Sequence, residues 1–368
     1  LNSFDISEVE LNLETTSNND YLKSHNIKSA INSNQSLLKS FLIFRGNSRD
    51  MSLETKIEAY EDLTEDRSSD KYEYIFPSYK FSKRLPSNFN GNYEIISSGN
   101  YKNYDTNIFE KVLINDLKFS SNPKITPSGF VNKFSVLLKN ITSEADNSSN
   151  YKNKFSSENY GSVFYDISYP LKRNGKFFDN FFTAKGSLMY SPNANKDLKT
   201  LDRKIDINNI FTQNRLSLDD SVEGGRSLTL GGEYILKGKN SGNDIIKAGL
   251  ATVLRDDEEI NLPTKSTLNN KGSDFIGSIL FEPNNNLKFD YNFSVDSDFE
   301  SSNYNLLKTD ISVNKFVTSF EFLQEDDEVG SESYLSNETA YNFNDIYSLK
   351  YRTRRNEKTD FTEFYNLI

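Results

Sequence analysis

The chain contains no cysteine, no tryptophan and a single histidine, His25. Without cysteine, thiolate metal sites and disulfides are excluded within this stretch, while the compartment stays open. One histidine excludes a two-histidine zinc site, and any nucleophile–histidine–acid triad would depend on His25 alone. That residue stands between Ser24 and Asn26 in a polar, strand-like segment, where a surface or water-facing role is expected. No apolar run approaches the ~18 residues that a membrane helix requires; residues 41–44 and 136–138 are far too short. A chain of this kind crosses a membrane only as a closed barrel. Basic clusters are also scarce. Against a net charge of -10, the densest group is Arg352, Arg354 and Arg355, which reads as a solvated strand end, so nucleic acid is not an expected partner. No glycine-rich loop leads from a strand into a helix; Gly224-Gly225 and Gly231-Gly232 flank strand-like sequence and read as bends or close approaches. The chain starts at Leu1 without an apolar leader, and Ile368 closes a strand-like segment with no turn after it, so a piece cut from a longer chain is expected.

Low hydrophobic content, 35%, with a mean hydropathy of -0.67, raises disorder as a first alternative. The 28 Phe and 21 Tyr argue against it, because a chain with nothing to bury does not carry so many large rings. Those rings alternate with polar residues. From Leu287 through Phe289, Tyr291, Phe293 and Val295 every odd residue is apolar and every even one polar. Tyr347, Leu349 and Tyr351 repeat the pattern, as do Leu228, Leu230, Tyr234 and Leu236, and Val163, Tyr165, Ile167 and Tyr169. Weaker versions span 89–97, 130–138 and 184–190. A period of two marks strands with one apolar and one polar face, and no helical stripe competes with it. Short turns are expected at 283–286, 314–315 and 343–345, and longer polar connections at 296–303, 325–331 and 354–359. Short and long connections thus alternate, as in outer-membrane barrels. At about 15 to 20 residues per strand and connection, the chain supplies roughly 16 to 22 strands. The expected fold is all-β: a large antiparallel transmembrane β-barrel, incomplete, missing its first and last strands. With no Trp, the interface girdles fall to Tyr and Phe. Several candidate lipid-facing rows are interrupted by Ser or Asn, so an extended soluble β-protein remains the alternative.

Acidic runs at 256–259 and 325–328 offer hard oxygen ligands for divalent cations but lack the spacing of an EF-hand, and solvated loops are the expected reading. No acid, base and nucleophile set stands out, so neither an enzyme nor a bound cofactor or metal is expected. The polar face of each strand is more informative. In a wide barrel it lines a hydrated lumen that suits a strongly polar cargo such as a sugar chain.

One segment is distinctive. Phe211, Arg215, Asp220, Glu223 and Gly225, within residues 209–234, follow the order of the best-kept stretch of the LptD barrel, which the chain resembles. Leu218 and Ser221 depart, standing where that family has Gly and Arg; if the usual Arg is the partner of Asp220, another group takes its place here. Tyr169-Pro170-Leu171 with residues 184–192 resembles the strand pair leading into this stretch. Residues 72–77, 92–99, 312–322 and 333–339 are also similar to the family, especially its alphaproteobacterial branch, so the resemblance is collinear over most of the chain. It implies one barrel domain over 1–368 without the family's N-terminal jelly-roll, in the outer membrane of a Gram-negative cell. It also implies lipopolysaccharide as cargo, an LptE-type lipoprotein plug, and an LptA-type periplasmic bridge reached through the N-terminal domain. Sugars would cross a hydrated lumen while acyl chains leave sideways through a seam whose strands lie outside this stretch. The alternatives are another large outer-membrane barrel, a TonB-dependent receptor or porin, and a soluble surface protein that binds polysaccharide.

Overall fold

A computed structural model describes residues 4–25, 36–64, 71–86, 89–104, 107–326, 329–344 and 347–367. The alternating pattern is resolved as nineteen strands among these residues, and every pairing is antiparallel. The named helical elements there are one turn at Tyr21–Ser24 and a 3-10 turn at Thr264–Ser266. The fold is all-β, as the period of two requires. The chain divides into two compact units, Leu1–Asn122 with Ser135–Gly161, and Pro123–Phe134 with Ser162–Ile368.

In the first unit β1 (Ile6–Asn12), β2 (Leu37–Asn47), β3 (Met51–Asp62), β4 (Tyr72–Pro86), β5 (Gly91–Tyr104) and β6 (Ile108–Ser121) pair in sequence order. The part of β8 (Val131–Asp146) from Ser135 onward pairs directly with β6, while the two-residue β7 (Lys124–Ile125) and the start of β8 belong to the second unit. Side chains separate by face. Leu42 and Ile57 stand opposite one another and are exposed. On the other face Arg45 lies between Glu8 and Glu54 in register and reaches Glu8, Glu10 and Glu54 at 3.5, 3.0 and 2.9 Å.

In the second unit a meander runs from β9 (Ser156–Asn174), which enters the unit at Ser162, and β10 (Phe178–Ser191) through β11 (Gly225–Gly238), β12 (Asp244–Arg255), β13 (Phe275–Asn284), β14 (Leu287–Val295), β15 (Ser302–Val313), β16 (Phe316–Glu325) and β17 (Ser333–Asn342) to β18 (Ser348–Asn356) and β19 (Phe361–Leu367). Its turns alternate in length as far as 343–347. One end carries 175–177, 239–243, 285–286, 314–315 and 343–347, and the other carries 192–224, 256–274, 296–301 and 326–332. At 314–315 Asn314 adopts φ 53°, the left-handed conformation that a two-residue hairpin needs and that Asn tolerates. The expected long connection at 354–359 is instead the four residues 357–360, because the strand pairing continues through Asn356. Asp327, Glu328, Asp345 and Ile368, each part of a sequence reading, lie outside the described residues.

Two further expectations are corrected. His25 does not sit in a strand: it ends a single helical turn, its N–H donating to the Tyr21 carbonyl at 3.1 Å and its ring lying 4.6 Å from that of Tyr21. Asn18 opens that turn by accepting the Asp20 N–H at 3.1 Å, a local bond that competes with strand pairing. The acidic runs are not simply solvated. Glu325 is buried and ion-paired with Lys204, and Glu259 accepts from Asn195 at 2.7 Å. The Arg352, Arg354 and Arg355 group does lie at a partly exposed strand end, where Arg352 pairs with Glu338 at 2.5 Å and Arg354 stacks 3.8 Å from the Tyr334 ring.

Candidate functional site

The two longest connections of the second unit, 192–224 and 256–274, fold back onto one face of the sheet. They bury Leu198, Ile205, Ile210, Leu216, Leu218, Leu262 and Leu268 against Ala251, Val253 and Ile276 of the strands. Ile210, Leu262, Leu268 and Val253 are almost fully enclosed. Burial of each such side chain is worth about 1.5–3 kcal/mol, enough together to hold long connections that would otherwise stay in solvent. The sheet makes room for them at Gly249, where a Cβ would lie 2.6 Å from Ile207 Cγ1. Gly231 likewise allows a close approach to Ala251 across the β11–β12 pair.

Four of the five signature residues meet in this packing. Phe211 packs against the apolar cluster, with Lys185 Nζ 5.5 Å from its ring centre. Arg215, 3% exposed, donates from Nε to Glu223 at 2.7 Å, from Nη1 to Thr229 at 3.1 Å and from Nη2 to Ser227 at 2.8 Å. Glu223 is bound by a second buried guanidinium, that of Arg255, which also donates to the Gly224 carbonyl. Burial alone would raise the Glu223 pKa, but the charges and hydrogen bonds of Arg215 and Arg255 outweigh it and hold the carboxyl below the ordinary glutamate range. Gly225 adopts φ 85°, and a Cβ there would lie 2.8 Å from Arg255 Nη2 and 2.9 Å from Glu259 Oε1. The position needs glycine on both grounds. Asp220, the fifth, stands apart and reaches Lys196 at 3.6 Å. The departures are absorbed: Leu218 joins the apolar cluster and Ser221 is buried.

Sequence reading missed Arg255, Asn195 and the Lys204–Glu325 pair. Arg255 ends β12, thirty-two positions from Glu223, and reaches it because Ser227 pairs with Arg255 in the β11–β12 ladder. Asn195 accepts the Gly224 N–H and donates to Glu259, each at 2.7 Å, joining the two connections. No local motif signals such partners; only the register does. Among the described residues, no group of three or more His, Asp or Glu is placed to hold a metal ion.

The two faces of the second unit differ in kind. Leu188, Leu230, Leu250, Leu254, Ile279, Phe320, Leu335, Leu349 and Tyr351 are large, apolar and exposed on one face. The opposite face, onto which the connections fold, carries ion pairs between neighbouring strands: Lys308 with Glu321 at 2.6 Å, and Glu338 with Lys350 at 2.9 Å and Arg352 at 2.5 Å. A sheet that exposes hydrocarbon on one side and pairs charges on the other is the arrangement of an outer-membrane barrel wall. The family model for LPS transport system D, LptD, matches residues 4–352. The chain belongs to the LptD family. No curated protein matches it. Membership places the chain in the outer membrane, with lipopolysaccharide as its substrate and lipopolysaccharide transport and assembly as its role. It displaces the TonB-dependent receptor, the porin and the soluble polysaccharide binder as readings of the sequence. In this chain the Arg215–Glu223–Arg255 cluster ties a connection that covers the polar face to strands β11 and β12.

Proposed function

We propose that this chain forms part of the wall of a translocon that inserts lipopolysaccharide into the outer leaflet, working without a chemical reaction at the wall. The observation that carries this reading is the sorting of side chains, with exposed Leu, Ile and Phe on one face and paired Lys, Arg, Glu and Asp on the other. Hydrocarbon meets the first face. The second solvates sugars, whose hydroxyls would each cost several kcal/mol if taken into lipid without partners. The whole stretch acts as one barrel domain in this reading, with a lipoprotein plug of LptE type and an LptA-type bridge that delivers the glycolipid. Acyl chains then pass sideways through a weakly paired seam, where breaking few strand bonds keeps the cost of opening modest. The test uses the full-length parent in its native cells. Mild-detergent pull-down from outer membranes is expected to recover a small lipoprotein, and depletion is expected to leave glycolipid accumulating in the periplasm. An outer-membrane protein with neither partner nor phenotype refutes the proposal.

A further inference from the structure

We propose that the tip of the first folded-back connection, Asp206-Ile207-Asn208, and the polar face of β11 to β15 form a binding site for uncharged sugar units of the transported glycolipid; this rests on the transport reading above. Two cavities flank the tip. One, of about 320 Å³, is lined by Asn292, Ser294, Tyr304, Ile276 and Leu306. The other, of about 300 Å³, is lined by Glu233, Lys247, Ser278, Leu280 and Asp290. Ile207, Asn208 and Asn292 border both, so the two form a pair of chambers on either side of one tip. Each stands at the small end of the ~300–1,000 Å³ range of ligand sites and fits a sugar ring better than a whole glycolipid.

Charge decides what the chambers favour. Every lysine that lines them already has a carboxylate: Lys204 has Glu325, Lys265 has Asp202 at 3.1 Å, and Lys247 has Asp244 at 3.1 Å. A phosphate would have to break one of these pairs while facing Asp206, Glu233 and Asp290. Neutral groups are left over instead. The Tyr304 and Ser278 hydroxyls and the Asn208 carboxamide have no hydrogen-bond partner among the described residues. Asn292 spends its amide on Asp290 at 2.8 Å and keeps its carbonyl oxygen for another donor. Hydroxyl and amide groups set between the aliphatic walls of Ile207, Ile276, Leu280 and Leu306 complement a sugar, whose rim is hydroxyl and whose faces are C–H.

The test is made on the full-length protein, with whatever partner co-purifies, in detergent. The probes are the lipid-free, enzymatically dephosphorylated core oligosaccharide of the cell's own lipopolysaccharide and, separately, inorganic phosphate, each titrated by calorimetry. Loss of two neutral hydrogen bonds in Tyr304→Phe with Asn208→Ala is expected to weaken oligosaccharide binding about tenfold. Asn208→Trp, which fills the space beside the tip, is expected to abolish it, and Tyr351→Phe on the exposed face to leave it unchanged. Asn208→Ala alone, at an exposed tip, gives a separate measure should the double variant fail to fold. The proposal is overturned if the dephosphorylated probe does not bind, if the variants bind it as well as the parent, or if inorganic phosphate displaces it. Transport is scored independently by glycolipid delivery in depleted cells, so a protein that delivers glycolipid but binds no oligosaccharide refutes this site alone.

Discussion

Neutralising Glu223 tests the anchor most directly. Its side chain is 4% exposed, and those of Arg215 and Arg255 are 2% and 1% exposed. In Glu223→Gln two guanidinium groups stay buried beside each other with no ionic partner, held only by neutral acceptors: the new carboxamide oxygen, the Ser227 and Thr229 hydroxyls and the Gly224 carbonyl. A charge pair about 4 Å apart is worth about 4 kcal/mol at an effective dielectric of 20, and removing one member of a buried pair costs about 3–5 kcal/mol. The strand ladders do not depend on this carboxylate, so the loss falls on the docking of residues 192–224. At about 1.4 kcal/mol per decade, the open population of that connection rises by more than about a hundredfold. Native-state proteolysis of the full-length protein in detergent reads this as faster cleavage within 192–224, with the wall intact. Cleavage within about threefold of the parent would refute the reasoning. Adding Arg215→Met to Glu223→Gln is expected to recover part of the protection, because it removes one of the two stranded charges. The pH dependence follows from the lowered Glu223 pKa. The docking energy from this group is fully present above the unfolded glutamate value near 4.5 and is lost as pH falls through the folded value below it. Protection of 192–224 in the parent should therefore decline in acid below about pH 4.5, whereas Glu223→Gln should lack that component.

Other substitutions probe separate parts of the argument. Gly225→Ala forces a side chain into a left-handed backbone and against Arg255, and is expected to cost about 1–3 kcal/mol, read as a lower midpoint of thermal unfolding; an unchanged midpoint would count against it. Gly249→Val drives a side chain into Ile207 and should speed proteolysis of the same connection without changing the strand content seen by circular dichroism. Leu230→Arg, on the exposed apolar face, should destabilise the protein by about 2–4 kcal/mol in bilayer unfolding if the position lies near the midplane; no loss would sink the assignment of that face to lipid. His25→Ala should leave glycolipid delivery in depleted cells unchanged, and a lost activity would point to a role for His25 in chemistry.

What the sequence determined by itself was the strand pattern and the chemistry of its two faces. Residues 287–295 alternate so regularly that β14 begins and ends where the pattern does, because a strand places successive side chains on opposite faces whatever surrounds it. The turns at 285–286 and 314–315 were legible for a similar reason: Asn supplies local hydrogen bonds and a left-handed backbone without outside help. Phe211, Arg215, Glu223 and Gly225 were legible as a set but not as a structure. What brings them together is decided elsewhere, by the β11–β12 register that delivers Arg255 and by the apolar packing that folds two long connections onto the wall. The same limit explains Glu259 and Glu325, which read as solvent-facing charges in sequence and become ion-paired or hydrogen-bonded once distant Lys204 and Asn195 arrive. Periodicity is a property of neighbours along the chain, so sequence carries it. Burial of a charge depends on partners tens of residues away, and only the tertiary structure decides that.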